Sequence, residues 1–187
     1  FEYSIFNLQS YEPTTFKEIQ KSMETSMKNY VESLPITSAA KETLFKKYED
    51  VWRIIDCENI NMKLDLHFIS GEEYFDIDYK SGFSSNEKGN TNRLLMVGGV
   101  YNIMPEKHET LIFVRQKEED NNHYLQTLKQ SDNWRVYCSD EAYDMIEHLS
   151  GFDLKSWMSD NIDWENDLSP DFKLFLESKD LLRYLNW

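Results

Sequence analysis

The sequence predicts an α/β fold in which helices flank a mixed central sheet. Apolar residues recur at helical spacing from 14 to 52 and then alternate with polar residues over 61–80. Beyond residue 92, short apolar runs are separated by further helical patterns. The resulting order of helix, strand, strand, helix, strand, helix, strand and helix is typical of a mixed sheet covered by helices.

Two helices are predicted before the first strand. The first covers Thr14–Ser33, opens with Pro13-Thr14-Thr15 and carries Glu18 at capping distance. The second begins near Thr37-Ser38 and continues through Trp52. After the alternating segment, helices and strands are predicted at Asn92–Ile103, Thr110–Arg115, His123–Lys129, Trp134–Cys138 and Asp140–Leu149, followed by helical pieces to residue 187.

The length of 187 residues indicates one domain, 1–187. It divides into an N-terminal helical part (1–38), a core (39–138) and a C-terminal helical part (139–187). No run of 18 apolar residues predicts a membrane span, and no signal peptide is predicted. Cys57 and Cys138 lack the spacing of a disulfide framework or a metal site, so we expect reduced thiols and a cytoplasmic location.

The chain is strongly acidic, with a formal net charge of −14 from 34 acidic and 20 basic residues. Charge of this sign discourages non-specific binding to nucleic-acid phosphates. The acids are unevenly placed: 140–187 holds twelve acidic and four basic residues, whereas 81–117 holds three acidic and five basic ones. This distribution weakens the objection to a nucleic-acid partner without removing it.

The segments 61–69 and 73–80 are predicted to pair as a hairpin. The loop Gly71-Glu72 has glycine at its first position, which suits a type II′ turn and sets the register. The facing pairs on the charged face are Asp65 with Asp78, His67 with Asp76, and Lys63 with Lys80. The other face is predicted to be the core, with Leu64, Leu66 and Phe68 facing Phe75, Ile77 and Tyr79.

Two directly opposed carboxylates repel each other unless a cation lies between them. Oxygen ligands of this kind suit Mg²⁺, with water completing its coordination. We therefore predict that Asp65 and Asp78 bind Mg²⁺. Such an ion would polarise a phosphoryl oxygen and lower the pKa of a bound water. Lys80, on the same face, would position the attacking hydroxide or stabilise the charged transition state.

An Asp on one strand, followed by Asp78-Tyr79-Lys80 on the next, resembles the motif of PD-(D/E)XK nucleases, which include many type II restriction endonucleases. The resemblance covers roughly 39–138, with Leu64 in the place of the motif's proline. It implies a restriction-endonuclease-like core with extra terminal helices. It also implies a Mg²⁺-dependent endonuclease that hydrolyses phosphodiester bonds of double-stranded DNA, with Asp65, Asp78 and Lys80 as catalytic residues.

Two further features follow from the resemblance. Cleavage of both DNA strands would imply a homodimer. An upstream helix of this family often supplies an additional acid, for which Glu49 is the first candidate and Glu18 the second.

A polar loop after the hairpin is predicted to contact the nucleic acid. Its small residues let the backbone approach a phosphate, and its polar side chains can reach phosphate oxygens or base edges. The predicted contact residues are Asn86, Lys88, Asn92 and Arg93. The alternative is a solvated loop capped by Thr91 or Asn90.

Two other interpretations stay open at the level of sequence. In the first interpretation, the charged face of the hairpin is an ordinary solvated surface neutralised by Lys63 and Lys80. In the second, the protein is an acidic toxin-immunity protein or nucleic-acid mimic that blocks a basic active site without catalysis. His67 is predicted to be a polar face residue, and no chemistry is assigned to His108, His123 and His148.

Overall fold

The computed structural model describes residues 4–54, 60–182 and 185, so that Cys57 and the last part of the predicted C-terminal helical region lie outside the described residues. One five-stranded sheet has the order β1-β2-β3-β4-β5. Its strands are β1 (Gln9–Ser10), β2 (Leu66–Ser70), β3 (Glu73–Lys80), β4 (Lys107–Val114) and β5 (Arg135–Cys138). The pairs β1–β2 and β2–β3 are antiparallel, whereas β3–β4 and β4–β5 are parallel. The predicted α/β class with a mixed sheet is confirmed.

The helices cover both faces of this sheet. They are α1 (Phe16–Ser33), α2 (Ser38–Ile54), α3 (Lys88–Asn102), α4 (His123–Lys129), α5 (Asp140–Ser150), α6 (Leu154–Asn161), α7 (Trp164–Asp167) and α8 (Pro170–Ser178). At the start of α1, the Glu18 amide donates to Thr15 Oγ1 at 3.3 Å and the Glu18 carboxylate accepts from the Thr15 amide at 3.0 Å, so the predicted capping signal is confirmed. Along the described ranges, no helix combines the length and apolar character needed to cross a membrane.

The hairpin has the register that its turn predicts. Gly71 has φ of 64°, as the first central position of a type II′ turn requires, and Ser70 pairs with Glu73. His67 accordingly lies opposite Asp76. The first strand of the hairpin begins at Leu66, later than the predicted start at 61.

Two apolar clusters lie on opposite faces of the sheet. On the α3 face, Ile112 and Val114 of β4 pack with Leu94 and Val97 of α3. The other cluster is covered by α5 and contains Phe68, Ile77, Leu111, Phe113 and Ala142. Leu64 belongs to the α3 cluster and not to the hairpin's apolar face, because it precedes β2. The charged face of the hairpin is therefore covered by α3, and its acids Asp76 and Asp78 are buried.

Gly98 lets α3 pack closely against the segment before β5. The indole Nε1 of Trp134 donates to the Leu94 carbonyl at 2.8 Å. A Cβ at Gly98 would lie 2.4 Å from that nitrogen and 3.0 Å from the Asn133 carbonyl oxygen. Glycine is thus required by contact with the indole ring, and this contact fixes α3 over the sheet.

Candidate active site

The carboxyl end of β3 and the start of α3 bring the charged side chains of Asp78, Lys80 and Arg93 together. Strand alternation places Asp76, Asp78 and Lys80 on the α3 face of the sheet. In open α/β sheets, ligands bind outside the carboxyl ends of parallel strands, where helices begin. The predicted catalytic residues therefore lie at a position suited to a binding site.

Asp78 is buried, with 2% of its surface exposed. The Lys80 ammonium lies 2.5 Å from Asp78 Oδ2, and Arg93 Nη2 lies 3.8 Å from Oδ1. Oδ2 is therefore held in a close ion pair with Lys80, whereas the contact of Oδ1 with Arg93 is longer. A buried carboxylate among cationic side chains is a group that can also bind a divalent cation.

The pKa of Asp78 reflects its surroundings. Burial raises it, because the ionised form loses hydration, and the nearby charge of Asp65 adds to this increase. The cations Lys80 and Arg93 lower the pKa, but by less, so the net direction is upward. The positive charges of Lys80 and Arg93 therefore do not fully offset the cost of burying the ionised carboxylate of Asp78.

Asp65 lies immediately before β2 and is exposed. Its Oδ2 accepts a hydrogen bond of 2.7 Å from the backbone amide of Tyr79, which neighbours Asp78. The side chain thereby takes the place of a backbone carbonyl at the end of the hairpin. The predicted strand pairs of Asp65 with Asp78 and of Lys63 with Lys80 are not formed, because the ladder ends at Leu66 and Ile77. Asp65 instead lies beside Tyr79, where it has a structural role.

The four predicted nucleic-acid contacts divide into two groups. Arg93 reaches inward to Asp78 and donates from Nη1 to the Asn61 carbonyl at 3.1 Å. Asn86, Lys88 and Asn92 are exposed around the start of α3. The segment predicted as a loop becomes helical at residue 88, so these side chains are held on a helix start and not on a free loop.

The two candidate additional acids lie on the N-terminal helices. The Glu18 carboxylate is used in the α1 cap, and Glu49 lines a groove between α1 and α2 with Glu24 and Arg53. Within the described ranges, neither forms a hydrogen bond or ion pair with Asp78. The candidate site therefore consists of Asp65, Asp78, Lys80 and Arg93.

The idea of an ordinary solvated hairpin surface does not agree with the burial of its acids. Asp76 is fully buried and Asp78 nearly so. Lys63, which that interpretation uses to neutralise them, forms an exposed ion pair with Glu12 at 3.3 Å instead. The hairpin's polar face is consequently enclosed around Asp76 and Asp78, whereas Asp65 is exposed.

Sequence reasoning did not find a second buried cluster around Asp76. Its Oδ1 accepts from His67 Nδ1 at 2.6 Å and from the Tyr11 hydroxyl, and its Oδ2 accepts from His108 Nδ1 at 2.6 Å. The register of β3 with β4, which pairs Tyr74 with His108, brings His108 to this face. Parallel register across a helical crossover carries no local sequence signal.

Hydrogen bonding fixes the tautomer of His67 and the ionised state of Asp76 in this cluster. His67 Nε2 accepts from the Leu64 amide at 2.8 Å, so its proton is on Nδ1 and the ring is neutral. Burial favours protonation of Asp76, but hydrogen bonds from His108, His67 and Tyr11 outweigh it and lower the pKa of Asp76. Asp76 is therefore an ionised, saturated acceptor, in contrast to Asp78.

No known family model, curated protein or solved structure matches this chain. A function must therefore be inferred from the geometry of the described residues.

The side chains around Asp78 provide few ligands for Mg²⁺. Among the residues that the structure describes, no group of three or more His, Cys, Asp or Glu side chains is arranged to hold a metal. Mg²⁺ is commonly bound through one or two carboxylates, with water and substrate phosphates as the other ligands. The two carboxylates of Asp65 and Asp78 fit that limited role, and they do not fit a metal cage made of protein ligands alone.

Proposed function

We propose that this protein is a Mg²⁺-dependent endonuclease of the PD-(D/E)XK type that hydrolyses double-stranded DNA. The main support is Asp78 near the carboxyl end of β3, a buried carboxylate with the Lys80 ammonium at 2.5 Å and Arg93 at 3.8 Å, beside Asp65. The proposal includes a restriction-endonuclease-like core formed by the sheet and α3. The proposed location is the cytoplasm, in keeping with the free, buried thiol of Cys138.

The residues of the site have distinct roles in this proposal. Asp65 and Asp78 would hold Mg²⁺, which supplies polarisation of the scissile phosphoryl group and a more acidic bound water. Lys80 would stabilise the negative charge that develops on the phosphoryl oxygens, because its ammonium is held on the same face. Arg93, partly buried beside Asp78, would add a second positive charge.

The substrate would approach over the start of α3. Asn86, Lys88 and Asn92 are exposed there and offer donors to phosphate oxygens or base edges. Positive charge in this region would offset the repulsion between DNA and a chain of net charge −14. A homodimer would let two such sites address the two strands.

The proposal is tested with supercoiled plasmid DNA and the full chain, in MgCl₂ and in EDTA. We expect nicking and linearisation only with Mg²⁺. Asp78→Asn keeps the side-chain shape but removes the charge, and it should abolish cleavage. Lys80→Met should reduce the rate about 100-fold, the typical effect of losing one preorganised transition-state contact.

Matched controls separate chemistry from folding. Lys63→Met removes an exposed lysine from the same hairpin, and Asp132→Asn removes an exposed acid elsewhere. Both should retain cleavage, and all variants should keep the wild-type circular dichroism spectrum. Cleavage that persists in EDTA, or that survives in folded Asp78→Asn, would show that the proposed site is wrong.

An acidic inhibitor remains a second candidate because of one observation. Phe172, Leu174 and Phe175 of α8 are exposed by 46%, 63% and 51%, within the strongly acidic C-terminal part. Exposed apolar side chains with an acidic surround suit a basic protein partner. The plasmid assay discriminates: an inhibitor would show no metal-dependent cleavage, and its binding to a basic partner would depend on Phe172 and Phe175 and not on Asp78.

A further inference from the structure

Residues 60–65 lead into β2 without forming a helix or a strand, because the ladder with β3 begins only at Leu66. Every second side chain of this segment is buried, namely those of Ile60, Met62 and Leu64. The intervening side chains are exposed, and the last of them is Asp65. The position of Asp65 therefore depends on contacts that fix the backbone of this segment from outside the ladder.

His67 makes such a contact directly beside Asp65. Its Nε2 accepts from the Leu64 amide at 2.8 Å, and its Nδ1 donates to Asp76 Oδ1 at 2.6 Å. The side chains of His67 and Asp76 are only 4% and 0% exposed, so water does not compete for these bonds. The buried pair thus fixes the backbone one residue before Asp65.

The carboxylate of Asp65 has a second anchor at its other end. Its Oδ2 accepts from the Tyr79 amide at 2.7 Å. The negative charge of Asp65 contributes to the raised pKa of Asp78, so the two carboxylates are close enough to interact. Ordering an exposed side chain costs rotamer entropy. A backbone that is already fixed beside Asp65 reduces what must be ordered when a cation binds.

We propose that His67 is a positioning residue for Asp65 as a metal ligand, and that Asp76 holds His67 in the required tautomer. This inference rests on the proposed Mg²⁺ site. Only an imidazole with its proton on Nδ1 and a free lone pair on Nε2 can accept from the Leu64 amide, and the Asp76 carboxylate selects that form. Partners that orient a ligand without touching the metal change metal affinity by about 10–100-fold when they are lost.

The proposal is tested with Mn²⁺ alone, which shares the preference of Mg²⁺ for carboxylate ligands. The isotope-labelled full chain is titrated, and the paramagnetic broadening of the Tyr79 amide signal is followed by NMR. This signal reports on the surroundings of Asp65, whereas Mn²⁺ bound by other acids of the chain leaves it unaffected. Neither DNA nor cleavage is needed for the measurement.

Two substitutions of His67 differ by one methylene group. His67→Asn keeps a donor near the position of Nδ1 but is too short to reach the Leu64 amide, and it should weaken Mn²⁺ binding about 10-fold or more. His67→Gln keeps an acceptor near the position of Nε2 and should retain most of the affinity. His67→Thr, which also cannot reach Leu64 and is favoured in strands, replaces His67→Asn if that variant does not fold.

Tyr11→Phe is the matched control for loss of stability. The Tyr11 hydroxyl donates to the same Asp76 oxygen as His67, so this change also removes a hydrogen bond from the buried carboxylate. It leaves the contact of His67 with Leu64 in place. The variant should therefore be less stable than wild type but bind Mn²⁺ with nearly unchanged affinity.

A double-mutant cycle shows whether His67 acts through Asp65. Once Asp65→Asn has weakened the site, adding His67→Asn should reduce the remaining Mn²⁺ affinity no further, because the ligand that His67 positions is already lost. An equal loss in both backgrounds would show that His67 has only a general structural effect.

Failure of the metal site and failure of the positioning role give different results. Mn²⁺ that does not broaden the Tyr79 signal of the wild type, or that broadens it equally in Asp65→Asn, would overturn both. Binding that depends on Asp65 but is unchanged in folded His67→Asn, or is weakened as much by Tyr11→Phe, would overturn the role of His67 alone.

Discussion

The carboxylate of Asp76 accepts hydrogen bonds from Tyr11, His67 and His108, which are distant from one another along the chain. Charge-assisted hydrogen bonds of this kind are stronger than neutral ones, and their loss leaves buried donors unpaired. Asp76 is thus the buried polar residue on which the β1–β4 side of the sheet most depends.

Asp76→Asn tests this dependence at the scale of one residue. The neutral amide accepts at only one of its two ends, so the three charge-assisted hydrogen bonds to Asp76 cannot all be kept. We expect the free energy of unfolding at pH 7 to fall by about 3 kcal/mol. Urea denaturation measures it, with Asp132→Asn as an exposed control that should change stability little.

Wild type and Asp76→Asn should also differ in how their stability depends on pH. Because the folded pKa of Asp76 is lowered, its stabilising effect is fully present above the ordinary pKa of about 3.9 and is lost as pH falls through the folded pKa. The stability difference between wild type and Asp76→Asn should therefore shrink in acid. A difference that stays constant down to pH 3 would show that the lowered pKa is not the cause.

Residue-scale sequence reasoning succeeded where a local turn fixed the geometry. Gly71 set the register, which correctly placed His67 opposite Asp76. It left solvent exposure open, because alternating polar residues normally indicate a solvated face, whereas α3 covers Asp76 and Asp78. The role of His108 was missed for a related reason, since its contact with Asp76 depends on the long-range register of β3 with β4.

Among the elements, α3 is the one whose position decides the candidate site, because it carries Arg93 and covers Asp78. Sequence signals predicted α1 and α2 well, since the capping box of Thr15 and Glu18 is local. They placed the start of α3 four residues late, because its first turn is polar and has glycine and asparagine. The two-residue β1 was not predicted, since its pairing with β2 is tertiary.

Gly98→Ala tests how closely α3 packs against Trp134. Alanine is favoured over glycine within a helix by about 1 kcal/mol, but the contact with Trp134 should cost about 1–3 kcal/mol through overpacking. We expect a lower melting temperature for Gly98→Ala. The neighbouring Gly99→Ala is a matched control, because its Cβ would meet only Asn133 Nδ2 at 3.6 Å, and it should be neutral or stabilising. Equal stabilisation by both changes would contradict the described packing.

At the scale of the whole molecule, a net charge of −14 makes the folded chain repel itself. Added salt screens this repulsion, so we expect the melting temperature to rise with NaCl. A gain on the order of 1 kcal/mol would correspond to about 2–4 °C for a domain of this size.

The comparison of NaCl with MgCl₂ at equal ionic strength separates screening from binding. If Asp65 and Asp78 hold Mg²⁺, MgCl₂ should stabilise the wild type more than NaCl does, because a ligand of the folded state adds to its stability. The excess should vanish in Asp78→Asn and persist in Asp132→Asn. Identical curves for the two salts would count against the metal site.

The contacts of Asp76 also bear on the order in which the chain folds. Tyr11 and His108 are separated from Asp76 by 65 and 32 residues, so the chain must close long loops before these bonds form. We expect the hairpin with its two-residue turn to form early and the attachment of β1 through Tyr11 to form late, because the second closes a longer loop. Bonds that form after the transition state slow unfolding and scarcely alter the folding rate. We therefore expect the buried carboxylate to act mainly on the lifetime of the native state.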